Sequence, residues 1–126
     1  MITNPHMLPK VRSDKLMAAM QNYPCTLRVS SLYPGYQCAH QSTVVGCHIG
    51  GLGKGVSTKV TDLAVAAGCS HCHAIIDMVD SKRWGFITSR YPTAFMERVL
   101  LGLIETHARL VIDGIIRVEG YDADHA

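Results

Sequence analysis

Hydrophobic positions recur at helical spacing near both ends of this chain. Ser13 precedes apolar residues at Leu16, Met17 and Met20, which predicts a short helix that Ser13 caps and that stops before Pro24. A longer helix is predicted to begin at Pro92 and end at Gly114. Glu105 and Arg109 are expected to pair on the solvent-facing side of that helix. Its apolar stripe consists of Phe95, Met96, Val99, Leu100, Leu103, Ile104, His107 and Val111.

The middle of the chain has the shorter apolar runs that are typical of strands. Residues 25–29, 43–49 and 115–118 are predicted strands, and residues 30–37 form a turn that returns the chain to Cys38. Residues 63–67 are apolar but too few to assign. A further helix is expected after Cys72, from the spacing of His73, Ile76, Asp77 and Asp80.

A length of 126 residues fits one domain with a modest core. Hydrophobic residues make up 48% and charged residues 17%, a balance that favours folding over disorder. The core is expected over about residues 23–82 and the long helix over about 92–113, with a polar tail after 120. A domain of this size often needs a covalent or metal staple.

The cysteines are the candidates for such a staple. No secretion leader opens the chain, so we expect reduced thiols that bind metal rather than disulfides. Cys69 and Cys72 form a Cys-x-x-Cys pair, and Cys25 and Cys38 bracket a loop that could complete a four-cysteine zinc site. Two alternatives are that some are buried as small hydrophobes, or that the Cys-x-x-Cys pair is redox-active.

Charge is distributed unevenly along the chain. Residues 1–61 carry six basic side chains against one acidic, and residues 62–126 carry six basic against nine acidic. This asymmetry is compatible with one face that meets phosphates, although ordinary scatter of surface charge would look the same. The apolar run at 99–104 is too short to span a bilayer, so no membrane association is expected.

Two histidines lie where chemistry is possible. His48 ends a predicted strand before the glycine loop of Gly50, Gly51, Gly53 and Gly55, and His73 begins a predicted helix. A neutral imidazole can take a proton from water, and a second can hold a divalent ion. Asp62 could orient the base or join the ligands of the metal. Asp77 lies one helical turn beyond His73 and could fix the orientation of that ring.

The alternative is that these histidines simply pack or lie on the surface, and for His107 we adopt it. His40 and His71 lie beside cysteines and are fallback zinc ligands.

These residues together resemble an HNH endonuclease of the ββα-metal class, most like the small nucleases of phages and prophages. The resemblance covers roughly residues 10–118. It rests on Cys25, Cys38, the run Gly46-Cys47-His48-Ile49, Thr58-Lys59-x-x-Asp62-Leu63, Cys69-Ser70-x-Cys72-His73 and Ile76-Asp77. It implies an α+β fold: a small zinc-stapled domain with a ββα-metal core, an N-terminal helix and a long C-terminal helix.

The resemblance also implies roles for individual residues. His48 would be the general base, and Asp62 would take the position usually held by an Asn that supports it. His73 would be a ligand of a catalytic divalent ion (Mg²⁺, Mn²⁺, Zn²⁺ or Ni²⁺). The structural zinc would be held by Cys25, Cys38, Cys69 and Cys72. Many members have Asp where this chain has Cys47, a softer ligand that suits magnesium poorly.

The expected activity is therefore hydrolysis of phosphodiesters in double-stranded or branched DNA. The protein is expected to act as a monomer or homodimer in the cytoplasm of a bacterial host. Phosphate contacts are expected from Arg28, Lys54 and Lys59. The first alternative is a zinc-stapled nucleic-acid-binding module without catalysis, and the second is a small interaction protein that binds no nucleic acid.

Overall fold

The computed structural model describes residues 10–50 and 60–121, and over these ranges the chain forms four helices and one two-stranded sheet. The helices and strands, in chain order, are α1 (Asp14–Ala19), β1 (Val45–His48), β2 (Val65–Gly68), α2 (Ser70–Ile76), α3 (Ser81–Arg90) and α4 (Pro92–Ile112). Short 3₁₀ turns cover Met20–Asn22, Ser30–Leu32 and Gln41–Thr43. A small α+β domain is thus confirmed.

Helix α1 begins as its sequence predicts. The Ser13 side chain accepts a hydrogen bond from the Leu16 amide, and Leu16 and Met20 are buried. The helix tightens into the 3₁₀ turn at Met20 before Tyr23 leaves it in extended conformation. Tyr23 is also buried, and its hydroxyl donates to the Asp113 carboxylate at 2.6 Å, which links this segment to the end of α4.

Strands β1 and β2 pair antiparallel, with Val45 opposite Gly68 and His48 opposite Val65. All four residues of β2 are buried, because this strand pairs with β1 and also packs against α4. In β1, alternation of side chains buries Cys47 completely and leaves the next residue, His48, half-buried on the other face. Of the strand predicted over 43–49, residues 45–48 are confirmed as β1, whereas Thr43 belongs to a 3₁₀ turn. Residues 65–67 of the unassigned run at 63–67 lie in β2.

The strand predicted at 25–29 is wrong. Thr26 does bond to β2, donating its amide to the Ala67 carbonyl at 2.8 Å. Arg28, however, has φ of 51°, a left-handed conformation that ends any extended run. Leu27 and Val29 are nonetheless fully buried, as the apolar pattern indicated.

Helix α4 confirms the predicted long helix and covers β2. At Gly102 the helix comes close to the backbone of Thr26, where a Cβ would lie 3.0 Å from the carbonyl oxygen. Gly114 follows the helix with φ of 73°, as a glycine after a helix end commonly does. The strand predicted at 115–118 is wrong, because the amides of Ile115 and Ile116 both donate to the Leu110 carbonyl and close turns instead.

The helix expected after Cys72 is also divided in two. Helix α2 ends at Ile76, Met78 has φ of 59°, and α3 then starts behind Asp80, whose carboxylate accepts from the Arg83 amide. Two short helices therefore replace one. Within the described ranges, no helix combines the length and the apolar character needed to cross a membrane.

Candidate metal centre and histidine site

Four cysteines converge from three separate segments. Cys25 precedes the stretch beside β2, Cys38 follows the predicted loop at 30–37, and Cys69 and Cys72 lie at the start of α2. Their four sulfur atoms all lie within 4.8 Å of one another. The sequence prediction that these four cysteines come together is confirmed.

The spacing of the sulfurs fits a tetrahedral zinc ion. With zinc–sulfur bonds of ~2.3 Å, two ligand sulfurs are separated by about 3.8 Å. The Sγ atoms of Cys38 and Cys72 are 3.9 Å apart. Because three chain segments contribute, the arrangement favours a metal staple over an isolated redox pair. The four cysteines could therefore hold a structural metal such as zinc.

Hydrogen bonds from backbone amides stabilise the thiolate form of one cysteine in this cluster, Cys69. The Cys69 sulfur caps α2 by accepting from the Cys72 amide at 3.5 Å, and it accepts from the Ala39 amide at 3.3 Å. The pKa of Cys69 is lowered, first by hydrogen bonding from the Cys25 and Cys72 thiols and then by these amides. Burial raises the pKa of Cys38 to about 11. Metal binding would therefore release protons from the remaining thiols.

The fallback histidines take other partners. The His40 ring bonds Ser42 within its own turn, at 2.9 Å from the hydroxyl. His71 Nδ1 lies 2.7 Å from the Gln37 carbonyl, and the ring stacks on Tyr36 with 4.4 Å between centroids. Among the described residues the cysteine cluster is complete without either histidine.

Cys47 lies apart from the cluster and from the face that carries His48. Its side chain is fully buried, and its sulfur lies 3.6 Å from the Val45 carbonyl and 3.8 Å from that of Gly68. A Cβ at Gly68 would lie 2.7 Å from this sulfur, so the packing there is tight. At the position where many HNH members have Asp, strand alternation therefore turns the Cys47 side chain into the core.

His48 is paired with Asp62, as the sequence reasoning expected. The His48 Nε2 atom lies 2.9 Å from Asp62 Oδ1, with the imidazole 32% exposed and the carboxylate 9% exposed. The other oxygen, Oδ2, accepts from the Ser13 amide at 2.7 Å. Arg12 approaches Oδ1 to 3.6 Å and also donates to the Val60 carbonyl.

These contacts keep the carboxylate ionised. Desolvation by burial would raise the pKa of Asp62, but the hydrogen bond from His48, the Ser13 amide and the nearby charges outweigh it and lower that pKa. Arg12 and Ser13 were not among the residues predicted for the site. Ser13 was recognised only as a helix cap, and no spacing relative to Asp62 could have indicated the contact.

His73 is paired with the carboxylate that the sequence placed one turn away. Its Nε2 atom lies 2.9 Å from Asp77 Oδ2, and both side chains are more than one-third exposed. The pair occupies the solvent-facing side of α2, whereas Cys72 and Ile75 face the core. In the described residues the four cysteines are the sole group of three or more potential ligands within reach of one ion, so no third His, Cys, Asp or Glu of these residues joins His73 and Asp77 as a ligand.

Of the three residues predicted to bind phosphate, the structure describes only Arg28. The Arg28 guanidinium lies 3.0 Å from Glu105, which itself pairs with Arg109 as predicted. Arg28 and Arg98 line an open cleft of about 350 Å³ beside Cys25 and Cys38. Lys54 and Lys59, like most of the glycine loop, lie outside the described residues.

Comparison of the chain with protein-family models, with curated proteins and with solved structures finds no match. The likeness to HNH endonucleases therefore stays a prediction from the motif.

Proposed function

We propose that this protein is a metal-dependent endonuclease that hydrolyses DNA phosphodiester bonds by an HNH mechanism. The observation that carries the proposal is the hydrogen-bonded pair of His48 and Asp62 at the end of β1. An accessible imidazole held by a buried carboxylate is the arrangement that a general base requires.

The pair also indicates which nitrogen acts. An ionised carboxylate can only accept hydrogen bonds, so Nε2 of His48 carries the hydrogen that Asp62 Oδ1 receives. The lone pair is then on Nδ1, which is the atom that would take a proton from the attacking water. Asp62 fixes this tautomer and stabilises the imidazolium that follows.

The order of the elements supports the same proposal. The chain runs from β1 through residues 49–64 to β2 and directly into α2, with His48 ending β1 and His73 on α2. This is the order of parts that the HNH resemblance implies. The cysteine cluster at the start of α2 would fasten that helix to the preceding segments, since Cys25 and Cys38 lie outside the ββα unit.

His73 and Asp77 are the side chains that would hold the catalytic divalent ion. When bound, such an ion supplies charge that stabilises the departing oxygen. Both side chains are exposed enough to meet a phosphate, and Asp77 accepts the hydrogen of one His73 nitrogen. Asp77 would orient the ring or join it as a ligand.

DNA is proposed as the partner because of the charge near the pair. Arg12 is 42% exposed and lies beside Asp62, where it could contact a backbone phosphate. Residues 1–61, which include Arg12, carry six basic side chains against one acidic, a net charge of +5, whereas residues 62–126 have a net charge of −3. Binding of this kind would weaken steeply as salt is raised.

The experiment that tests the proposal is nicking of supercoiled plasmid by the zinc-loaded protein. Mg²⁺, Mn²⁺, Zn²⁺ and Ni²⁺ are added separately, and EDTA serves as the control. Conversion to open-circle DNA with at least one ion, and its loss in EDTA, is the expected result. A folded, zinc-loaded protein that leaves the plasmid intact with every ion would overturn it.

A second candidate is a zinc-stapled nucleic-acid-binding module without catalysis. It is favoured by one observation: outside the four cysteines, the described residues contain no further set of three potential metal ligands. Under this alternative, salt-sensitive DNA binding persists although no ion supports cleavage. A protein that bound neither DNA nor RNA at low salt would contradict both candidates.

A further inference from the structure

Helix α4 is apolar on the side that faces away from the domain. Seven of its residues between Met96 and Ile112 are exposed, and six of them are apolar. The apolar members, which we call the α4 outer face, are Met96, Leu100, Leu101, Ile104, Ala108 and Ile112. Glu97 is the single charged residue among the exposed ones. The opposite side packs against the rest of the domain, and its buried residues are Val99, Gly102, Thr106 and Leu110.

Five of the six outer residues form one continuous row. Met96, Leu100, Ile104, Ala108 and Ile112 follow each other at intervals of four, which makes a ridge about 24 Å long at 1.5 Å per residue. Ridges of this spacing are the ones by which helices most commonly interlock. The row is therefore shaped for another helix rather than for a flat or extended ligand.

The exposed area is large for a surface that meets only water. The five large apolar side chains on this face are 54% to 64% exposed. At roughly 100 Å² each, two copies brought face to face would remove on the order of 1,000 Å² from water, which is the size at which specific interfaces begin. A patch of this kind on a small domain indicates an interaction site.

We propose that the α4 outer face pairs with the same face of a second copy of this chain, antiparallel across a twofold axis at Ile104. Such an axis places Leu100 against the partner's Ala108, a large side chain against a small one, and Ile104 against itself. A twofold interface must be complementary to itself, and a row that is symmetric about Ile104 meets this condition. The proposal is independent of the nuclease proposal.

The chemistry of the face argues against other occupants. It presents no Lys or Arg among its exposed residues, so a DNA backbone or an anionic lipid surface would find no counter-charge there. At its edge, His107 Nε2 lies 2.7 Å from the Leu63 carbonyl. Leu63 is 43% exposed and directly follows Asp62, so α4 contacts the segment that holds the candidate site.

The test is sedimentation equilibrium of the full-length, zinc-loaded protein over the micromolar range, with three variants. Ile104→Lys places two like charges against each other at the axis, and Ala108→Lys places a charge against the partner's Leu100. Each should weaken the dimer roughly 100-fold or more. Val79→Lys is the matched control, because Val79 is 80% exposed and lies between α2 and α3, away from the face. All three changes are at exposed positions, so circular dichroism and zinc content should not change.

The expected result is a dimer for the wild type and the Val79 variant, and a monomer for the two variants of the face. A wild type that is monomeric throughout would overturn the proposal, and so would a dimer that survives both face substitutions. Because plasmid nicking is measured separately, loss of the dimer and loss of nuclease activity are distinguishable.

Discussion

The Asp62 carboxylate joins His48 to the start of helix α1. One oxygen lies 2.9 Å from His48 Nε2, and the other accepts from the Ser13 amide at 2.7 Å. The backbone reinforces this link, since the Asp62 amide donates to the Val11 carbonyl at 2.8 Å and the Val11 amide donates to the Thr61 hydroxyl at 3.0 Å. The segment before α1 therefore holds Asp62 in place from both its backbone and its side chain.

Zinc binding is expected to depend on the cluster and not on the fifth cysteine. Replacing Cys69 by Ser removes a ligand that also caps α2, so we expect loss of the bound zinc and a lower Tm. Cys47→Ala is the matched control: it removes an equally buried sulfur that lies outside the cluster, and the zinc content should stay at one per chain. Zinc is measured by elemental analysis after dialysis, and full zinc retention by Cys69→Ser would contradict the assignment.

The close approach of α4 to residue 26 predicts opposite effects for two helical glycines. A Cβ at Gly102 would meet backbone atoms of Thr26 at 3.0 and 3.2 Å. Buried backbone cannot relieve such a close contact by changing rotamer, as a side chain can. Overpacking of this kind costs about 1–3 kcal/mol. Gly102→Ala should therefore lower the free energy of unfolding in urea.

Gly85→Ala is its control in α3, where no atom lies within 4 Å of the added Cβ. That change should raise the free energy of unfolding by about 0.5–1 kcal/mol, because alanine restricts the unfolded chain and favours the helix. Equal effects from the two substitutions would contradict the packing described for α4.

A buried hydroxyl of α4 completes the hydrogen bonding of β2. Thr106 Oγ1 accepts from the Ala67 amide at 3.0 Å and lies 3.0 Å from the Thr26 hydroxyl. Thr106→Val keeps the shape but leaves the Ala67 amide without this acceptor, which should cost about 1–3 kcal/mol of unfolding free energy. Thr93→Val, at an exposed position of the same helix, should change stability by no more than about 0.5 kcal/mol. Urea titration of both variants provides the comparison.

The lowered pKa of Asp62 predicts a contribution to stability that is lost in acid. In the folded protein this pKa lies below the ordinary 3.8, so the unfolded chain binds the proton more readily. The contribution is then fully present above about pH 5 and falls as the pH drops through 4 and below. The difference in unfolding free energy between wild type and Asp62→Asn should shrink over that acid range. A difference that is constant from pH 7 to pH 3 would contradict the linkage.

Local signals in the sequence were sufficient for several parts of this structure. Ser13 caps α1, Pro92 and Gly114 bound α4, and β-branched residues mark β1, because each of these effects acts over a few neighbouring residues. The four-cysteine cluster was also predictable, since metal chemistry restricts which side chains can converge. The contact between Ser13 and Asp62 was not, because 49 residues separate them.

The buried side of α4 shows a limit of hydrophobic periodicity. The predicted apolar stripe, which includes Met96, Leu100 and Ile104, is broad enough either to cover the core or to form a dimer surface. All three residues are exposed in the structure. The side that packs on β2 instead uses Gly102 and Thr106, because close approach and hydrogen bonding to β2 require small or hydroxylated residues there. Where both sides of a helix are apolar, periodicity alone does not distinguish the core side from an interface side.

The most direct test of His48 as the general base of a nuclease is the plasmid-nicking assay. It compares His48→Ala with the wild type and with a His40→Ala control. Among the described residues, the His40 ring bonds only to Ser42 in its own turn, so the substitution should leave cleavage and zinc content unchanged. The His48→Ala variant should keep its fold and zinc but nick the plasmid at least ~100-fold more slowly, because the general base is gone. Nicking by His48→Ala at the wild-type rate would contradict the assignment of His48 as the base.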